Sequence, residues 1–88
     1  MVQKKVVIQN QLGLHARPAA LFVKKASKHL SRVTISKDGV EVDGKSILGI
    51  LMLACEKGSE ILLKVEGEDE KECFQELLDL ILGKFDEE

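Results

Sequence analysis

The apolar positions of the chain switch between a period of two and a period near 3.6, and each switch marks an expected element. From Lys4 to Gln9, Val6 and Ile8 share one face of a run rich in β-branched residues, which predicts a strand. Asn10 to Leu14 is a loop broken by Gly13. From about Ala16 to His29 the apolar residues Ala19, Phe22, Val23, Ala26 and Leu30 recur at helical spacing. Lys24, Lys25 and Lys28 fall towards the C-terminal end of that helix, where cations suit its dipole. Arg32 to Lys37 turns Val33 and Ile35 inward, and Val40 and Val42 repeat the alternation beyond Asp38-Gly39, a strong hairpin signal.

Ser46 is a credible N-cap for a short apolar helix from Ile47 to Ala54, and Gly58 closes that region. Ile61, Leu63 and Val65 alternate as a fourth strand, followed by a turn at Gly67 to Asp69. Phe74, Leu77, Leu78, Ile81 and Phe85 mark a closing amphipathic helix, whose first turn is acidic through Asp69, Glu70 and Glu72. The tail Asp86-Glu87-Glu88 reads as a solvated end. The element order is βαββαβα. It implies an α+β domain spanning 1–88, with one antiparallel sheet and helices covering a single face.

Composition narrows the function. The chain is 44% hydrophobic and 32% charged, ordinary values for a soluble globular domain with one core. A net charge of −2, three Phe and no Tyr or Trp leave neither the basic field nor the stacking platform that nucleic-acid binding needs. No apolar run approaches the length of a membrane span, and the N-terminal residues lack a signal-peptide core, so a cytoplasmic protein without direct membrane insertion is expected. Cys55 and Cys73 form no CxxC or Cys/His cluster and read as reduced packing residues, with no metal site and no cofactor implied. His29 reads as a surface residue at a helix end.

One stretch carries candidate chemistry. In Gly13-Leu14-His15-Ala16-Arg17-Pro18 the only proline of the chain stands where a helix begins, a position that tolerates its missing N–H. His15 is thereby placed at a helix N-cap, beside amides without intrahelical partners and the positive end of the dipole, which together make an anion site. A neutral imidazole there can act as a nucleophile, and its phosphorylated product is held by the surrounding donors. Arg17 adds a fork of donors for phosphoryl oxygens. Gly39-Val40-Glu41-Val42-Asp43-Gly44-Lys45-Ser46 matches the P-loop expression letter for letter, but its middle residues alternate as a strand and carry two carboxylates that repel phosphate. Nucleotide binding there is not expected.

The run Gly-Leu-His-Ala-Arg-Pro-Ala from Gly13 to Ala19, followed about thirty residues later by Gly-Lys-Ser-Ile from Gly44 to Ile47, closely resembles the HPr family. These are histidine-containing phosphocarriers of the bacterial phosphoenolpyruvate-dependent phosphotransferase system, and the likeness covers the whole chain. It implies the HPr open-faced β-sandwich, a four-stranded antiparallel sheet with three helices. It also implies a stoichiometric phosphoryl relay rather than an enzyme. His15 accepts the group on Nδ1 from enzyme I and passes it to an enzyme IIA protein or domain, with Arg17 stabilising the phosphate. The resemblance further implies regulatory phosphorylation at Ser46 by an HPr kinase/phosphorylase, with a transcriptional regulator as a further partner. It also implies docking through Ala16, Ala20, Lys24, Ile47, Leu48 and Leu51 on a monomeric protein.

The pattern also departs from the commonest members. Leu12 stands where sugar-branch relatives usually carry a small polar residue, and Ala20 where many Gram-positive relatives have threonine. The Leu-Gly pair before the histidine, and the Leu-Met-Leu and Gly-Lys-Phe-Asp-Glu-Glu runs, look like the nitrogen-regulatory branch. A mainly regulatory HPr-like protein, of that branch or acting through phosphorylated Ser46, is the alternative.

Overall fold

The computed structural model describes residues 1–86; Glu87 and Glu88 of the expected acidic end lie outside them. The chain forms β1 (Val2–Val7), α1 (Ala16–Ala26), β2 (Arg32–Lys37), β3 (Val40–Asp43), α2 (Ile47–Met52), β4 (Glu60–Glu66) and α3 (Glu70–Leu82), then a short 3-10 turn at Lys84–Asp86. The strands make one sheet in the order β1-β4-β2-β3, and every neighbouring pair is antiparallel. Val6 and Ile8, Val33 and Ile35, and Ile61, Leu63 and Val65 are buried together with Ala19 and Phe22 of α1, Ile50 of α2, and Leu77 and Ile81 of α3. The opposite face aligns Lys5 with Leu62 and Leu62 with Ser36, and Gln3 with Lys64 and Lys64 with Thr34. The α+β open-faced sandwich with three helices is therefore the observed fold.

Asp38 and Gly39 both have positive φ (52° and 84°), the conformation that a two-residue hairpin between right-twisted strands requires. The same hairpin disposes of the P-loop match, because four of its eight residues are β3.

Several local expectations shift. β1 starts two residues earlier than the alternation suggested, because Val2 pairs with Val65 at the far end of β4. Ile8, although outside the strand, continues the alignment through its amide to the Ser59 carbonyl (2.9 Å). α1 ends at Ala26 rather than His29; the amides of Lys28 and His29 bond to the carbonyls three residues back, which tightens and closes the helix. Leu30, projected into the core by the helical period, is instead 83% exposed. Val40 is 58% exposed, at the first residue of β3, the edge strand of the sheet. α2 stops at Met52, and Ala54 adopts φ 52°, which no helix continues. Phe85 is buried as expected, but in the turn after α3.

Candidate functional site

His15 is the N-cap of α1, with extended backbone (φ −78°, ψ −173°), and its carbonyl accepts the Ala19 amide at 3.0 Å. Its side chain makes no cap hydrogen bond, so the imidazole is not committed to closing the helix end. Ala16 and Arg17 follow as exposed first-turn residues, and Pro18 is buried and contributes no N–H. The first-turn amides of Ala16 and Arg17 lack intrahelical acceptors by the geometry of any helix start. Imidazole, amides and guanidinium thus lie within three consecutive residues on an open surface. A hollow of about 450 Å³ between β2 and β3, lined by Leu30, Arg32, Thr34, Glu41 and Lys45 among others, does not include His15. A site of this shape suits a group handed between two proteins better than a small molecule that must be enclosed.

The loop before His15 is tied down by identifiable contacts. Asn10 is fully buried; its Nδ2 donates to the Gly13 carbonyl (2.7 Å), and the Gly13 amide donates to the Asn10 carbonyl (3.1 Å). The Leu14 amide then donates to the Cys55 carbonyl (2.8 Å), tying the loop to the segment after α2. Gly13 has φ +69°, and a Cβ there would lie 2.3 Å from the Cys55 carbonyl oxygen. Asn10 is the residue that reading from composition and period overlooked. Its signal is an Asn three positions ahead of a Gly, which favours a side-chain-closed turn.

Ser46 is the N-cap of α2, and its Oγ accepts the Gly49 amide at 3.0 Å. Ser46→Ala removes that acceptor, and an unfolding titration is expected to show a loss of about 1 kcal/mol; an unchanged midpoint would mean that the cap does not hold α2. The other end of α2 is held by Lys37, whose Nζ donates to the Leu53 and Ala54 carbonyls (3.4 and 3.0 Å). Ile50 and Leu53 are buried, whereas Leu48 is 69% exposed and Ile47 and Leu51 are exposed beside it. The helix is therefore not buried all round. On α1, which packs on α2, Ala16, Ala20 and Lys24 fall on one face at a spacing of four and are all exposed. The structure brings the named docking residues onto two adjacent helices.

Cys55 and Cys73 are buried free thiols, and burial raises the pKa of both, Cys73 to about 11, which keeps them unreactive. His29 corrects the surface reading: its side chain is only 9% exposed and faces two carboxylates, those of Asp69 at the N-cap of α3 and Glu76 within it. Among the described residues no helix is long and apolar enough to cross a membrane.

Comparison with known proteins agrees with this geometry. The family model for the PTS HPr component phosphorylation site matches residues 2–82. The chain is 44% identical over 87 residues to phosphocarrier protein HPr of Cupriavidus necator, covering 99% of this chain and 98% of that one. It is 48% identical over 77 residues to the HPr-like protein Crh of Bacillus subtilis, covering 88% of this chain and 91% of that one. Its structure superposes on the crystal structure of HPr from Thermoanaerobacter tengcongensis with a TM-score of 0.97 at 48% identity, over 100% of this chain and 99% of that one. Solved dimers exist among such relatives, so kinship does not establish the expected monomer. With the cap histidine, the two helices and the open sheet in place, these matches show that the chain belongs to the HPr family of phosphotransferase-system proteins.

Proposed function

We propose that the protein is a cytoplasmic single-domain phosphocarrier that accepts a phosphoryl group on His15 Nδ1 from enzyme I and passes it to an enzyme IIA protein or domain. The observation that carries this reading is His15 at the N-cap of α1 with its side chain outside the cap hydrogen bond. The imidazole lone pair forms the new N–P bond as the bond between phosphorus and enzyme I breaks. The first-turn amides, the helix dipole and Arg17 then hold the dianion. An exposed site with few donors binds the group firmly enough to carry it and loosely enough to release it. The exposed faces of α1 (Ala16, Ala20, Lys24) and α2 (Ile47, Leu48, Leu51) serve as the docking surface.

Incubation with phosphoenolpyruvate and purified enzyme I tests the proposal: an acid-labile, alkali-stable phosphoryl label is expected, and a folded protein that takes none overturns it. Arg17→Ala is expected to slow transfer by about 10- to 100-fold, the worth of one charge-assisted hydrogen bond. Because Arg17 is exposed, folding stability should change by less than about 0.5 kcal/mol. Transfer kinetics and an unfolding curve on the same variant check both halves, and unchanged kinetics would remove Arg17 from the site.

The place of Ser46 at the N-cap of α2 supports a second role, regulation through phosphorylation of that serine. A phosphate at the start of α2 meets the amides of that helix and need not unfold it. It would also add negative charge beside the docking face and oppose enzyme I. A protein acting through Ser46 alone has no use for an acceptor imidazole, so His15 favours the carrier as the primary reading. ATP and an HPr kinase should then leave a separate, acid-stable label that Ser46→Ala abolishes.

A further inference from the structure

The α1–β2 connection is held to α3 by a compact set of charges. Asp69, the N-cap of α3, accepts the amides of Leu30 (2.9 Å, Oδ2) and Ser31 (3.0 Å, Oδ1) and the Ser31 hydroxyl. His29 Nδ1 lies 3.2 Å from Asp69 Oδ2, and its Nε2 lies 3.2 Å from Glu76 Oε2. Nε2 is buried, and its approach to Glu76 is a charge contact rather than a well-aligned hydrogen bond. Lys45, the residue before Ser46, donates from Nζ to the His29 carbonyl at 2.8 Å.

A neutral imidazole has one N–H and one bare lone pair, so it can satisfy one carboxylate while turning a lone pair on the other. Only the imidazolium, with an N–H on each nitrogen, suits both. From this geometry we infer that His29 is a proton-operated clamp: protonated, it joins the exit of α1 to both Asp69 and Glu76 of α3, and on losing its proton it releases one of them and loosens the segment through Lys45 that leads into Ser46.

The surrounding charges agree in sign. Burial works against a charged His29, but its contacts with Glu76 and Asp69 outweigh burial and raise its pKa above the ordinary value. Asp69 is held well below the usual carboxylate range, first by the Ser31 hydroxyl and the Leu30 amide, so it stays anionic while His29 titrates. The neighbouring thiol of Cys73 is raised to about 11 by burial and stays neutral there. Lys45 is the cation on the other side, and it meets the backbone carbonyl rather than the ring. Lys25 and Lys28 are carried on α1 and its exit, and Glu72 of α3 is exposed. Below about pH 6.5, the ordinary histidine value, folded and unfolded chains both carry the proton and the clamp contributes fully. That contribution is lost as pH rises through the folded-state value.

This inference is independent of the carrier reading, and its test needs no phosphoryl donor. The ring resonances of His29 are followed against pH by NMR in the full chain and in Glu76→Gln, a change on a partly exposed helix position. The expected result is a midpoint above about 6.5 in the parent chain and a lower one in the variant. Amide exchange protection at Leu30, Ser31 and Gly49 is expected to fall in the parent chain as pH passes that midpoint. A midpoint at or below the ordinary value, or one unmoved by Glu76→Gln, overturns the clamp. A raised midpoint with constant protection at Leu30 and Ser31 also overturns the clamp, and constant protection at Gly49 overturns its link to Ser46.

Discussion

His15→Ala is expected to abolish the acid-labile label formed from phosphoenolpyruvate and enzyme I while leaving the unfolding transition close to that of the parent chain. The two halves follow from one observation. The His15 side chain closes no cap hydrogen bond, and it is the backbone carbonyl, which alanine keeps, that accepts the Ala19 amide. Stability should therefore move by no more than about 1 kcal/mol, the scale of an N-cap effect. The label, in contrast, needs a nucleophilic nitrogen, and no side chain two residues either side of position 15 offers a substitute: Gly13, Leu14 and Ala16 carry none, and the Arg17 guanidinium stays protonated. Labelling should fall to background. Persistence of an acid-labile label in a folded His15→Ala protein would move the acceptor elsewhere, and His29, buried against two carboxylates, is poorly placed to receive an anion.

Gly13→Ala is expected to cause the largest loss of stability among substitutions near the site. The residue has φ +69°, where an L side chain costs about 1–2 kcal/mol. The new Cβ would also lie 2.3 Å from the Cys55 carbonyl oxygen and 2.8 Å from the Glu56 Cα, both backbone atoms that cannot rotate away. The loop must move, and the Leu14 amide bond to Cys55 goes with it, for about another 1 kcal/mol. The combined loss is on the order of 3 kcal/mol, which lowers the melting temperature of so small a domain by about 10 °C or more. Gly39→Ala is the control: φ there is +84°, yet nothing lies within 4 Å of the added Cβ. It should cost only the backbone preference, about 1 kcal/mol. Equal melting points for the two variants would show that the Gly13 approach to Cys55 does not hold the loop. The same movement displaces the backbone that presents His15, so phosphoryl transfer should slow as well.

Most of the elements were legible because their signals are local. The Asp38-Gly39 hairpin needs two residues that tolerate positive φ, and both are there in the chain. The N-cap at Ser46 needs a hydroxyl three residues ahead of an amide, and Gly49 supplies the amide. Pro18 marks the first turn of α1, so the cap position of His15, on which the candidate chemistry rests, could be placed from its neighbours in the sequence. The family resemblance rested on that stretch together with Gly44 to Ile47, and the family match covers residues 2–82.

The misplacements share one cause, which is that each depended on a distant part of the chain. The helical period ran on through His29 and Leu30, but α1 stops at Ala26 because Asp69, nearly forty residues later, takes the amides of Leu30 and Ser31. For the same reason the period sent Leu30 inward and left His29 on the surface, the reverse of what is found. Alternation identified Val40 as a strand residue without revealing that β3 lies at an edge, since the order β1-β4-β2-β3 arises when β4 enters between β1 and β2. Period and capping act within a few residues and so determined which segments become helix or strand and where the cap histidine falls. Strand order, the packing of Gly13 on Cys55 and the meeting of His29 with Asp69 and Glu76 join residues tens of positions apart. Those contacts exist only once the sheet and helices have closed on a common core, and that closure is what tertiary structure decided.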